Sequence, residues 1–373
     1  AFIARTPSVR DALGLSSGEL GLLLLCLSGG AVAGLPLSGP LVTRSGPARG
    51  VLIGMLSVAT GLTLLATGLL VVSVPLAAIG LAACGLGSGI WDVSMNVEGA
   101  EVERRLGRSL MPRLHAAFSL GTVAGAAIGA ATAALGVPLI VQLYAVAALQ
   151  LALVLPVIGR FLARVETADA EQKPAGSRVL AAWREPRTLV LGLLVLGFAF
   201  TEGSANDWIA IAFVDGYQAP EVLGAVAFGF FVSAMTIGRL FGGAALERYG
   251  RVPVLRMTAA LALAGLLLVL LGGHPLVALA GALLWGVGAS LGFPVGMSAA
   301  ADDPAVAAAR VSVVSSIGYT AFLAGPPLIG LLAEHAGILR ALFVVLGALV
   351  LGLLATPATR PLPRPAVPAR SEP

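Results

Sequence analysis

Gly39-Pro-Leu-Val-Thr43-Arg44-Ser-Gly46 returns about 200 residues later as Gly243-Ala-Ala-Leu-Glu247-Arg248-Tyr-Gly250, and each copy closes a long apolar run. Two further pairs, Gly85-Leu-Gly87 with Gly286-Val-Gly288 and Ser119-Leu-Gly121 with Ser316-Ile-Gly318, keep a similar offset. An offset held at three places marks two halves of one architecture. Polar breaks divide the chain into apolar runs at about residues 18–42, 50–71, 75–98, 113–135, 138–161, 188–212, 220–246, 253–272, 275–300, 308–333 and 338–356, each long enough to span a bilayer as a helix. Residues 1–4 read as the tail of one more helix, because the polar Arg5-Thr-Pro-Ser follows too close to the start to permit a span.

Composition points the same way. Of 373 residues 58% are hydrophobic and 11% charged, against about 25% charged in an ordinary soluble domain, which excludes a soluble fold. The 48 glycines and 23 prolines suit close-packed membrane helices. Cys26 and Cys84 lie in apolar runs without Cys or His at ligand spacing, so neither a disulfide framework, a metal site nor a cofactor is expected. A net charge of +4 with a pI near 9.6 would suit nucleic acid only if the basic residues clustered on a soluble surface. Instead nearly all of them fall in loops and helix ends on one side of the spans, Arg239 counted among these, with Arg5, Arg10 and Arg340 left on the other. That is a positive-inside pattern: the arginine-rich face is expected to be cytoplasmic, with a multi-pass protein in the cell membrane and no nucleic-acid partner.

The repeated Gly-x-x-x-(Thr/Glu)-Arg-x-Gly resembles the cytoplasmic loop motif of the major facilitator superfamily, in which an Asp usually precedes the Arg and the charged cluster latches two halves together. Gly39, Arg44 and Gly46, with Gly243, Glu247, Arg248 and Gly250, would form this cytoplasmic gate. The resemblance implies an all-α membrane protein with the major facilitator fold, two six-helix halves, its first helix mostly missing from this chain. The expected divisions are an N-terminal half at 1–162, a cytoplasmic linker at 163–187, a C-terminal half at 188–360 and a disordered tail at 361–373.

Ionisable groups inside a bilayer are costly and usually functional. Ser88, Asp92 and Asn96 stand four residues apart on one helix face, beside Gly85 and Gly89, which would admit another helix or a substrate. The surrounding Gly89-Ile-Trp91-Asp92-Val-Ser-Met-Asn96 is similar to the fourth helix of the fucose permease branch, with Asp for its Glu and Val97 for its Pro. His115 stands where that branch has Asn, and Gly292-Phe293-Pro294 matches its tenth helix. The resemblance gives Asp92 a role in proton coupling and substrate binding. Glu202 and Asn206 share a face of the seventh helix; Glu202, roughly 21 Å from Thr188, is the second proton-site candidate. Asp207 reads as interfacial. Trp91, Gln142 and Tyr319 are candidates for a solute site by stacking and hydrogen bonding, as are Trp208 and Trp285, although packing accounts for each singly. His115 would relay protons or lie at the interface.

Two stretches are set aside. Gly14-Leu-Ser16-Ser-Gly18 matches a nucleophile-elbow pattern but lacks the strand and helix that strain the serine, so it reads as a helix start. Gly121, Gly125 and Gly129 read as a helix-packing stripe. The expected protein is a monomeric secondary transporter rather than an enzyme, taking up a small polar solute such as a sugar with protons. Export of a metabolite or drug is the alternative, and an intramembrane enzyme the remote one.

Overall fold

Lipid offers no partners to backbone polar groups, so each apolar run must close its hydrogen bonds as a helix. The computed structural model describes residues 2–106, 111–161, 180–303 and 306–361. A 3₁₀ turn at Ile3–Arg5 enters the short α1 (Thr6–Leu13), and Ser16 caps α2 (Ser17–Ser45). The Ser16 hydroxyl accepts from the Glu19 amide at 3.2 Å and the Ser16 amide donates to the Glu19 carboxylate at 2.8 Å, a capping box that makes this stretch a helix start. There follow α3 (Pro47–Leu70), α4 (Val74–Leu106), α5 (Met111–Ala134) and α6 (Leu139–Ile158). The second half comprises α7 (Pro186–Ile211), α8 (Glu221–Tyr249), α9 (Arg251–Leu271), α10 (Pro275–Ala289), α11 (Gly292–Ala300), α12 (Ala307–Ala336), α13 (Ile338–Ala341) and α14 (Phe343–Ala355). Among the described residues, 11 segments are long and apolar enough to cross a membrane; α10 with α11, and α13 with α14, each make one.

The packing repeats as the sequence does. In the first half α2 and α3 both lie on α4, and α3 on α6; in the second α8 and α9 both lie on α10, and α9 on α14. Across the halves α2 meets α12 and α5 meets α8, contacts that interchange when the halves do. Glycine fixes the joints of the repeated motif: Gly46 between α2 and α3 and Gly250 between α8 and α9 adopt φ of 81° and 79°, where a side chain would be strained. Gly85 and Gly89 serve the close approach of another helix, α2, because a Cβ at Gly85 would stand 1.9 Å from the Leu27 carbonyl oxygen and one at Gly89 2.6 Å from that of Ala31.

The halves touch on the face opposite the arginines. A Cβ at Gly21 would lie 2.5 Å from the Pro326 carbonyl oxygen, and one at Gly229 3.7 Å from the Ala126 side chain. Toward the arginine-rich face they part: Phe118 of α5 and Phe241 of α8 are each 71% exposed, and a Cβ at Gly121 would meet nothing within 4 Å. Gly121 is therefore not part of a packed stripe, contrary to expectation, because α5 leaves α8 before that level.

One more expectation is corrected. Arg239 lies neither in a loop nor at a helix end but inside α8, ten residues before its end at Tyr249. Asp207 lies nine residues before the end of a helical span that continues from α7 through a π turn at Ala212–Gly216. Of the expected linker, residues 163–179 lie outside the described residues, whereas Ala182 packs against Ala309 and Val313 and Pro186 already opens α7. Residues 362–373 of the expected tail, and the side chains of Gly39, Thr43 and His115, also lie outside.

Candidate transport cavity

Between the halves lies a cavity in two adjoining lobes of about 560 and 750 Å³. Both lobes are lined by Ser88 and Asp92 of α4, as the four-residue spacing requires, and by Ile3 and Val58. Trp91 and Asn96 line the larger lobe, with Met95, Phe118 and Thr122; Gln142, Gln150, Tyr319 and Phe322 line the smaller. Most remaining lining side chains are aliphatic. Asp92 is exposed to the cavity, and no hydrogen bond or ion pair to its carboxylate is described. Tyr319 of α12 lines the same lobe as Asp92, so a phenol of one half shares the cavity with the carboxylate of the other. Asn96 donates its amide hydrogen back to the Asp92 carbonyl at 2.9 Å, which leaves its oxygen as an acceptor toward the cavity.

Gln142 joins this cavity to the closed face. Its oxygen accepts from Thr132 Oγ1 at 2.5 Å and from Arg5 Nη1 at 3.3 Å, while its buried Nε2 has no partner. The orientation is forced, because Arg5 can only donate. Arg5, 6% exposed, donates Nε and Nη2 to the two oxygens of Glu221 at 3.0 Å each and Nη1 to the Val137 carbonyl at 2.7 Å. Ser8 donates to the same Glu221 carboxylate, and Arg10 pairs with Asp215. These contacts tie the start of the first half to the second half across the closed face.

The other candidates fall elsewhere. Glu202 accepts both its contacts from Arg239 Nη2 at 2.9 Å, and Arg239 also donates Nε to the Ser290 carbonyl at 3.3 Å. Its charge is therefore balanced within the second half by an arginine that was counted with the loops and helix ends. Asn206 is half-buried on the same helix, and Trp208 and Trp285 are wholly buried in the second-half core, Trp285 edge-on to Phe231. At the gate motif Arg44, Glu247 and Arg248 are exposed; Arg248 stacks on its neighbour Tyr249 at 5.3 Å, and no partner is described for Arg44 or Glu247. On the same face Asp302 holds Arg187 at 2.9 Å and Arg251 at 2.7 Å, and Glu185 accepts from Arg310 at 2.6 Å.

The sequence profile of the Major Facilitator Superfamily matches residues 1–309 and 208–373. The chain belongs to the major facilitator superfamily. It is thus a membrane transporter in kind, not an enzyme. An uncharacterised transporter of Sinorhizobium fredii is 32% identical over 345 residues, which cover 92% of this chain and 89% of that protein. Among solved structures, a variant of the nucleoside transporter NupG superposes with a TM-score of 0.80 at 16% identity, covering 96% of this chain and 95% of that one. A variant of the Escherichia coli fucose:proton symporter FucP gives 0.61 at 15%, covering 96% of each. At such identities these superfamily members share the fold of this chain.

Proposed function

We propose that the chain is a proton-coupled secondary transporter of a small polar solute, working by alternating access, with Asp92 as the coupling carboxylate. The two moving bodies are residues 1–162 and 188–360, and the arginine-rich face is cytoplasmic. The observation that carries the reading is Asp92 itself: an acid with no described partner, inside a cavity between two halves whose described close approaches lie on the far face. In dry surroundings such a group must be neutralised by a proton or a ligand. Opening to water lets the proton leave, so occupancy of Asp92 follows the direction in which the cavity opens. Glu202 is the weaker candidate, because Arg239 already balances it. Uptake of a sugar-like solute fits the amides of Asn96 and Gln142 and the ring of Trp91, and a fold neighbour of this chain is a fucose:proton symporter. Export is the second reading, favoured by one observation: Asp92 is the sole charged side chain among the described lining residues, so a cationic solute would displace the proton rather than accompany it.

The test is solute-driven proton movement in proteoliposomes enclosing a pH-sensitive dye, with L-fucose, D-glucosamine and nucleosides as first solutes. Wild type should move protons with the solute it carries, whereas Asp92→Asn should exchange labelled for unlabelled solute without proton movement. An Asp92→Asn protein that still couples the two would remove Asp92 from the mechanism.

A further inference from the structure

We infer that the solute of this cavity is a protonated organic amine whose body presents a ring or other apolar face and one oxygen acceptor. The inference rests on the reading of Asp92 as a group that ionises in the cavity, and adds what neutralises it besides a proton.

Three features converge. First, the polar groups that line the cavity with Asp92 from the other helices are Ser28 of α2, Thr122 of α5, Gln142 and Gln150 of α6 and Tyr319 of α12, all uncharged near neutral pH; His115 of α5 lies outside the described side chains. No described cation therefore competes with a ligand for the carboxylate, and Arg5, the nearest described arginine along the Gln142 link, is held by Glu221. Second, Trp91, Phe118, Phe228 and Phe322 give the walls aromatic faces, which attract both apolar rings and cations. Third, Gln142 keeps one buried amide hydrogen donor unpaired at the wall, a group whose isolation is unfavourable until an oxygen accepts from it. An anion would meet repulsion at Asp92, and a neutral polyol would suit it only while the carboxyl keeps its proton, whereas an ammonium pairs with the ionised group directly. An ammonium group replaces the proton on Asp92 charge for charge: the proton passes to water as the amine enters, and returns as it leaves.

The test uses phenylethanolamine, which carries an ammonium, a ring and a hydroxyl, and its neutral counterpart 1-phenyl-1,2-ethanediol. Binding to the purified full-length chain is measured by calorimetry at pH 7. The amine should bind about tenfold or more tightly than the diol, since a charge-assisted contact is worth at least that factor. 2-Phenylethylamine, lacking the hydroxyl, should bind more weakly than phenylethanolamine. Asp92→Asn, which is nearly isosteric, should lose the preference for amine over diol. Equal binding of amine and diol, a preference retained in Asp92→Asn, or no heat from phenylethanolamine overturns the inference. The transport reading fails separately, through proton coupling that survives Asp92→Asn.

Discussion

Removing the Glu221 carboxylate should open the face on which the halves now meet. Glu221→Gln leaves Arg5 facing one amide oxygen and an amide group that itself donates, so one of the two 3.0 Å contacts becomes donor against donor. Breaking a buried ion pair by removing one partner costs about 3–5 kcal/mol. The Glu221 side chain is 26% exposed, and Arg5 keeps Val137 and Gln142, so the discounted figure is about 2 kcal/mol. Because this contact joins the halves, that loss falls mainly on the conformation closed at this face. The equilibrium then shifts about 30-fold, enough to turn a population of 99:1 into roughly 3:1. Spin labels at Leu135 and Leu276, exposed positions at this end of the first and second halves, would report it in a background with Cys26 and Cys84 replaced. The expected result is a second, longer distance in Glu221→Gln, enlarged when Asp215→Asn also removes the partner of Arg10. A distance distribution identical to wild type in both variants would refute the reasoning, since it would leave backbone packing of α2 on α12 as what closes the face.

Three further outcomes follow from particular contacts. Gly85→Leu should lower the melting temperature of the purified protein, by about 1–3 kcal/mol or more of overpacking, because its Cβ would meet Leu27 backbone rather than a side chain that can turn away; Gly121→Leu, facing open space, should be tolerated. Arg239→Met should destabilise the second half by stranding Glu202, and Glu202→Gln in the same chain should restore much of the loss; a double-mutant cycle with no coupling would break the pairing argument. The Arg310 guanidinium holds the Glu185 carboxyl below its ordinary value of 4.5, so Glu185 contributes stability that is present above that value and is lost as the pH falls through the lowered one; Glu185→Gln should flatten this acid limb of the melting curve.

The spans were legible because hydropathy is a local signal and lipid enforces it helix by helix. The Asp92 face was legible for a similar reason: four-residue spacing alone puts Ser88, Asp92 and Asn96 on one stripe, and lining the cavity needs only that this stripe turn toward the second half. What could not be read was partnership across hundreds of residues. Glu202 and Arg239 lie on different helices, and charge counting sent the arginine to a face because basic residues near a span end usually belong there. Arg5 looked like a stray topology marker on the poorly charged side, and nothing local shows that Glu221, which opens α8, is waiting for it.

These missed contacts have a common character. Asp92, found by spacing, belongs to the face that lines the cavity; Arg5 and Glu221, whose pairing shows only in three dimensions, belong to the contact between the halves, and Gln142, a candidate by sequence, reaches Arg5 as well. Gln142 stands in both sets: its oxygen is held by Arg5, and its side chain, with Nε2 buried and unpaired, lines the smaller lobe. An acceptor that engages the Nε2 hydrogens would polarise the amide and strengthen the Arg5 contact on its other end. Solute binding and closure of the far face would then be linked through a single side chain. On that argument Gln142→Leu should uncouple them: the spin-label distance between the halves should no longer respond to phenylethanolamine, although the ammonium still finds Asp92. A Gln142→Leu protein whose distance responds as wild type does would place the link elsewhere.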